Sequence, residues 1–493
     1  MESLHVYNSL SRNKEKFIPI HQTHVGMYVC GPTVYGDPHL GHARSAITFD
    51  VVLRYLNHLG YKVRYVRNIT DVGHLENDAD EGEDKIAQKA KLEQVEPMEV
   101  AQHYANRYYQ FMDQLNVKRP SIEPRATGHI PEQIKLISTI LQKGFAYESN
   151  GSVYFDVLRY NEKFPYGELS GRKVEDLISN TRELDGQSEK RNALDFALWK
   201  KANPEHIMKW DSPWGVGFPG WHIECTAMAE KYLGSFFDIH GGGMDLLFPH
   251  HECEIAQANA GCGHAPAKYW MHNNMITIDG KKMGKSYGNF ITLEEFFCGT
   301  HTYLEQQYSP MTIRFYILQA QYRSTLDISN TSLKAAQTAY RKLLNTFLTV
   351  PKLIWVEQDS VDEKLESEVK KSISQAFASM NDDFNTGAAL SAMFAMSGFL
   401  NSFFTKQKNH HQLSKSTFDE LCNTFSVFFT EILGLKAESS EDSKELIKML
   451  LEFYKQAKEV KDYAKVDQIR SGLKSLGIAV KDMKGSVDWA YEV

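Results

Sequence analysis

The stretch FPHHECEIAQ, Phe248 to Gln257, holds two histidines, a cysteine and two glutamates in five consecutive residues. Read as a helix start, it brings His250 and Glu254, four apart, onto one face and turns His251 and Cys253 away from that pair. An imidazole and a carboxylate so placed can share a metal ion, but a complete site needs ligands from distant parts of the chain. Two further stretches carry chemistry of another kind. In HLGH, His39 to His42, two imidazoles flank a helix N-terminus where they can donate to phosphate oxygens, and Gly41 leaves the backbone open to a base or ribose. In KKMGKSYGNF, Lys281 to Phe290, Lys282 and Lys285 sit on a glycine-bearing loop from which ammonium charges can reach a triphosphate.

These residues need a scaffold, and residues 25 to 67 read most clearly. VGMYVCG has the character of a buried strand, GHARSAITFDVVLRYLNHLG of a helix ending on a glycine, and YKVRYVRNIT of a second strand. A strand, helix, strand unit implies parallel pairing, with ligands at the carboxyl ends of the strands, which is where HLGH falls. The acidic run at 76–85 reads as a solvated loop, and residues 121 to 190, with turn signals such as YESNGS, as an insertion between two halves of a nucleotide fold. From about residue 300 the pattern is helical almost throughout, so the fold class is α/β in front with an all-α back.

Composition excludes several classes. The chain has 493 residues, 42% hydrophobic and 24% charged, room for roughly three domains. No run approaches the roughly 18 to 20 consecutive apolar residues of a membrane span, and the N-terminal residues lack an apolar signal segment, so a cytoplasmic protein without membrane contact is expected. Six cysteines in so long a chain are too sparse for a disulfide framework. A net charge of -7 argues against indiscriminate coating of nucleic acid, although residues 443 to 485 carry a mild basic excess.

HLGH and the lysine loop, about 240 residues apart in one α/β chain, together resemble the two signature motifs of class I aminoacyl-tRNA synthetases. YVCGPTVY, PGWHIECTAM, DIHGGGMDLLFPHHECEIAQ, KMGKSYGNF, KRNALDFALWK and LKSLGIAVKDMKGSVDW are similar to the cysteinyl-tRNA synthetase family, over nearly the whole chain. One position departs from the family loop, which reads Lys-Met-Ser-Lys-Ser: Gly284 stands where the first serine would.

The resemblance implies one zinc ion held by Cys30, Cys225, His250 and Glu254, and ATP with Mg²⁺ as co-substrate. It further implies His39, His42, Lys282 and Lys285 as the catalytic groups on the triphosphate, with Gly41, Gly243 and Asp245 beside the nucleotide and Thr70 and Trp221 lining the cysteine pocket. Asp467, Arg470 and Asp482 would read the anticodon of tRNA(Cys). The implied layout is a Rossmann-like catalytic domain in two halves, 1–120 and 191–300, interrupted by a connective peptide at 121–190. A stem-contact linker at 301–345, a helical bundle at 346–440 and an anticodon-binding region at 441–493 follow, in a monomer.

Zinc suits such an enzyme because a pocket separates isosteric side chains by only about 1 to 3 kcal/mol on shape, whereas a soft metal prefers thiolate to alcohol oxygen. Two other readings share some features. A ligase joining cysteine to an amino sugar would need the front half and its zinc but not the C-terminal tail, and a non-catalytic tRNA-binding paralogue would tolerate loss of motifs that are intact here.

Overall fold

VGMYVCG forms the strand its apolar run predicts, β1 (His24–Val29), followed by α1 (Leu40–His58) and β2 (Lys62–Arg67). β1 and β2 pair in parallel from His24 opposite Lys62 to Val29 opposite Arg67. Later in the chain come α2 (Ile223–Leu233), β3 (Phe237–Gly243), α3 (Glu252–Cys262) and β4 (Ala267–Asn273). The four strands make one parallel sheet in the order β4-β3-β1-β2, the Rossmann-like arrangement expected. Val29, Arg67, Gly243 and Asn273 therefore end at one edge, and the motif residues lie just beyond it.

This computed structural model describes residues 3–73, 84–180, 189–284, 287–357, 361–438, 441–483 and 486–492. The chain forms two compact units, one of residues 1–303, 321–327 and 381–384, the other of 304–320, 328–380 and 385–493.

Within the first unit α1 is buried along most of its length, from Leu40 to Leu56. Two of its buried charges, Asp50 and Arg54, pair at 2.7 Å, and Arg54 also donates to the Asn116 carbonyl while Asp50 accepts from the Lys118 amide. Buried charges are tolerable when paired and hydrogen-bonded in this way. The glycine run of DIHGGG has a packing reason: a Cβ at Gly241 would fall 2.2 Å from the Phe49 ring, so only glycine lets α1 lie this close to β3.

The inserted region forms an antiparallel sheet of Ala146–Ser149, Ser152–Phe155, Phe196–Lys201 and Gly217–Pro219. It thus runs beyond the 121–190 boundary read from composition. Its first hairpin turns on Asn150 and Gly151, both at positive φ, the conformation that an Asn-Gly pair accommodates.

The second unit is a helical assembly that includes Asn330–Thr349, Thr386–Phe404 and Lys415–Val427, and the helix Pro310–Leu318 lies in this unit rather than in a separate linker. Thr386–Phe404 is long and apolar enough to cross a membrane, with a mean hydropathy of 1.3, a length of apolar chain that the sequence reading passed over. Here it packs against Asn330–Thr349, Lys415–Val427 and Pro310–Leu318 and buries Leu390, Met393, Met396 and Leu400. Helices Glu441–Glu459 and Tyr463–Ser475 are followed by a hairpin, Ile478–Met483 with Ser486–Tyr491, in a back part expected to be all-α. SVDWAY places Val487, Trp489 and Tyr491 at a period of two, which suits a strand better than a helix.

Candidate functional site

A cleft of about 520 Å³ opens at the carboxyl ends of the sheet, lined by the HLGH segment, Cys30, Thr70, Trp221, Cys225, Gly243, Asp245, His250 and Lys282. The nucleotide-type and metal-type candidates therefore share one space within the first unit.

HLGH closes the N-terminus of α1 as a reciprocal cap. The Gly41 amide donates to His39 Nδ1 at 3.0 Å, and the His39 amide donates to His42 Nδ1 at 3.2 Å. With each Nδ1 accepting, each neutral ring carries its proton on Nε2, and the rings lie 4.0 Å apart. Gly41 leaves room for the His39 ring, since a Cβ there would sit 2.8 Å from His39 Cε1, so the open backbone is filled by imidazole rather than left for a base. Burial lowers the pKa of His42 to about 4.

This shift has a measurable consequence. The unfolded chain protonates His42 near 6.5 and the folded chain near 4, so on falling pH the unfolded state binds the proton first and stability is lost through that window. Thermal midpoints are expected to fall more between pH 6.5 and 4.5 for the native chain than for His42→Asn. Parallel profiles would contradict a neutral His42.

Lys282 ends the short strand Lys281–Lys282, which pairs with Ile276–Ile278, and its side chain is exposed. Asn289 closes the loop beyond it, accepting from the Gly284 amide at 2.9 Å and donating to the Lys282 carbonyl at 3.2 Å. Lys285 lies outside the described residues. Gly243 and Asp245 face each other so closely that a Cβ at 243 would meet Asp245 Oδ1. Thr70 is buried; its hydroxyl accepts from Asn68 Nδ2 at 3.1 Å and donates to Glu224 at 2.5 Å. The Trp221 ring lies 4.6 Å from that of His250.

Cys30, Cys225, His250 and Glu254 converge, each offering a ligand atom within 4.8 Å of the others. Cys30 Sγ is 3.5 Å from both Cys225 Sγ and Glu254 Oε1, and His250 Nε2 is 3.3 Å from Glu254 Oε1. Asn68 Oδ1 accepts from the Gly31 amide at 2.8 Å, and a Cβ at Gly31 would land 1.6 Å from the Asn68 carbonyl, so the chain must carry glycine after the first thiol. Burial pushes the Cys225 thiol up to about 12, with Glu254 adding to the rise and the Cys30 contact opposing it, and it raises the Cys30 thiol as well, with Cys225 and Glu254 adding to the rise. Two thiols, an imidazole and a carboxylate pressed together out of water fit a zinc ion, whose charge would relieve that repulsion.

The expectation that His251 points away from this cluster does not hold. His251 Nε2 lies 3.4 Å from Cys30 Sγ and 4.0 Å from Glu254 Oε1, and Cys30, His240, His251 and Glu254 make a second convergent set. The kink at Phe248 (φ -143, ψ 131) precedes both histidines and His251 is itself helical (φ -68, ψ -30), so it stands three residues before Glu254 on a helical surface where i and i+3 side chains are neighbours. Cys253, in contrast, is buried beside Tyr166, 3.6 Å from its hydroxyl, within the core of the inserted region.

Sequence reasoning also missed His240, which reaches Glu254 Oε2 at 2.8 Å, His222, whose Nδ1 meets His250 Nδ1 at 3.1 Å, and His272, 2.8 Å from His251. Glu224 was missed too; burial holds its carboxyl well above the usual range, offset in part by the Thr70 hydroxyl. Only adjacency to quoted motif residues could have flagged them.

In the second unit Asp482 accepts from Lys458 at 2.8 Å and from Tyr454 and Arg470 at 3.0 Å, so this carboxylate is already engaged by three donors. Asp467, with a 74% exposed side chain, lies 3.9 Å from Arg470.

Residues 16–338 match the family model described as the tRNA synthetases class I (C) catalytic domain, and residues 377–430 match the DALR domain. The cysteine–tRNA ligase of Cytophaga hutchinsonii is 61% identical over 100% of this chain and 99% of its own, and that of Bacteroides thetaiotaomicron is 58% identical over 99% and 98%. The chain belongs to the cysteine–tRNA ligases, within the class I tRNA synthetases. This ligase shares its fold with a more distant synthetase as well. Mycobacterium tuberculosis methionyl-tRNA synthetase in complex with methionyl-adenylate superposes with a TM-score of 0.57 at 14% identity, covering 83% of this chain and 89% of that one.

Proposed function

We propose that this enzyme activates cysteine with ATP to cysteinyl-adenylate and pyrophosphate, then transfers the cysteinyl group to the terminal ribose of tRNA(Cys), selecting its amino acid through zinc. The observation that carries the reading is the shared cleft, in which the thiol-rich cluster opens into the space lined by the HLGH histidines and Lys282.

Cys30, Cys225, His250 and Glu254 would hold the ion. We favour them over the set containing His240 and His251 because two thiols suit zinc better than one, and because His240 Nε2 is already engaged by Glu254. Zinc bound there would supply a soft coordination position that takes a thiolate and rejects the hydroxyl of serine. His240 and His222 would orient the carboxylate and the imidazole from behind.

The remaining roles follow from hydrogen-bond capacity. Thr70 spends its proton on Glu224, so its oxygen is left to accept from the substrate ammonium, beside the Trp221 ring. The Nε2–H groups of His39 and His42 donate to phosphate oxygens of ATP, which arrives with Mg²⁺, and Lys282, with Lys285 on the same loop, neutralises charge as pyrophosphate departs. Asp245 accepts from ribose hydroxyls beside Gly243. In the second unit Arg470 and Asp467 would meet anticodon bases, with Asp482 holding Arg470 in place.

ATP–pyrophosphate exchange tests the reading, measured with each amino acid in turn on the zinc-loaded enzyme. Exchange should require cysteine, with serine at least about 1,000-fold poorer, beyond the roughly 200-fold that shape alone provides. Comparable exchange with serine or alanine would overturn selection by the metal.

A further inference from the structure

Arg44 stands on α1 two residues beyond His42 and is 1% exposed. Its guanidinium reaches across the unit to backbone far away in sequence. Nη1 donates to the Met275 carbonyl at 2.7 Å, and Nη2 donates to the carbonyls of Tyr322, at 3.2 Å, and Ser324. Met275 is the residue immediately before Ile276–Ile278, the strand against which Lys281 and Lys282 pair. The second segment is tied to the same root, because the Leu326 amide donates to the Met275 carbonyl and the Asn274 amide to that of Tyr322.

The far end of the hairpin returns to the histidine motif as well, where the Leu293 amide donates to the Pro38 carbonyl at 2.9 Å. Entry and exit of the lysine hairpin are thus both fastened to the segment that carries His39 and His42, and on the entry side the fastener is one buried cation. A planar guanidinium can satisfy three carbonyls from two chain segments at once; an ammonium on a flexible stem cannot reproduce that fork.

We propose that Arg44 is the positioning residue that sets the lysine hairpin against the histidine pair for the activation step. It borders the cleft, but its guanidinium is engaged by backbone carbonyls. The proposal rests on the reading of Lys282 given above. A displacement of about 1 Å in a charge that acts on the transition state can cost about 100-fold in rate, whereas the cysteine pocket, built on Cys30, Thr70 and Trp221, is held by other contacts.

The test separates the two half-reactions in Arg44→Lys, with Arg44→Gln as a second variant should the first fail to fold. Cysteine-dependent pyrophosphate exchange is expected to slow by about 10 to 100-fold, with the KM for cysteine within about twofold of native. Transfer to tRNA from preformed cysteinyl-adenylate, which no longer needs a pyrophosphate leaving group stabilised, should stay within about twofold. Equal losses in both steps would mean that Arg44 merely supports the fold, and an unchanged exchange rate would also overturn the proposal. Adding Lys282→Ala distinguishes its failure from that of the parent reading. If Arg44 works through Lys282, the double variant should be no slower than Lys282→Ala alone. Multiplied losses would overturn the positioning role and leave the Lys282 reading intact, whereas normal exchange in Lys282→Ala alone would overturn both.

Discussion

His250→Ala and Cys225→Ser are expected to lose bound zinc and cysteine-dependent exchange together, while Cys253→Ser keeps both. Zinc affinity should fall by more than about 100-fold in the first two, since loss of an outer hydrogen-bond partner alone costs 10- to 100-fold and these residues would contact the ion itself. Each contributes a donor to a cluster whose ligand atoms lie within 4.8 Å of one another, and removing one leaves the remaining thiol and carboxylate buried beside each other without a cation. Cys253 is 1% exposed in a different core, against Tyr166, and has no part in either convergent set. Glu254→Gln should lose less zinc than the thiol variants, because an oxygen donor holds zinc less firmly than thiolate does. Zinc content per chain, paired with exchange, reads the result. Loss of zinc in Cys253→Ser with retention in His250→Ala would show that another cluster binds the metal.

The second large effect concerns the triphosphate. Lys282→Ala should lower the rate of adenylate formation by roughly 100 to 1,000-fold with cysteine affinity little changed, the scale of losing one preorganised charge where negative charge develops. Lys282 is exposed and sits on a hairpin whose loop is closed by Asn289, so its removal leaves no buried group unpaired and should not weaken the fold. Single-turnover adenylate formation at saturating substrate, with cysteine titrated separately, makes the distinction. An equal fall in cysteine affinity would place Lys282 in the amino-acid pocket instead.

What the amino-acid sequence revealed, and what it did not, follows the reach of local pattern. The strand, helix, strand unit of β1, α1 and β2 was legible because its apolar periodicity is strong and ends on Gly60 at positive φ. The pairing of His250 with Glu254 was legible as a four-residue spacing, but His251 was misplaced because its three-residue spacing to Glu254, which also makes neighbours on a helix, was passed over. His240, although inside the quoted DIHGGG stretch, and His272 carried no spacing that tied them to the cluster. They sit on β3 and β4, and their approach to Glu254 and His251 exists only once the sheet has paired those strands. Arg44 was hidden for a related reason: its three acceptors are backbone carbonyls, which carry no residue signature. The C-terminal hairpin went unread because its two short strands, of which only SVDWAY alternates, follow two strongly periodic helices.

Selection of cysteine by direct contact between its sulfur and the bound metal is the centre of this account, and replacing zinc by cobalt exposes it to view. Cobalt-loaded enzyme should gain sulfur-to-metal charge-transfer absorption when cysteine is added, beyond that of Cys30 and Cys225, and should show no such gain with serine. A cobalt spectrum that stays unchanged at saturating cysteine, in enzyme still able to form cysteinyl-adenylate, would contradict it.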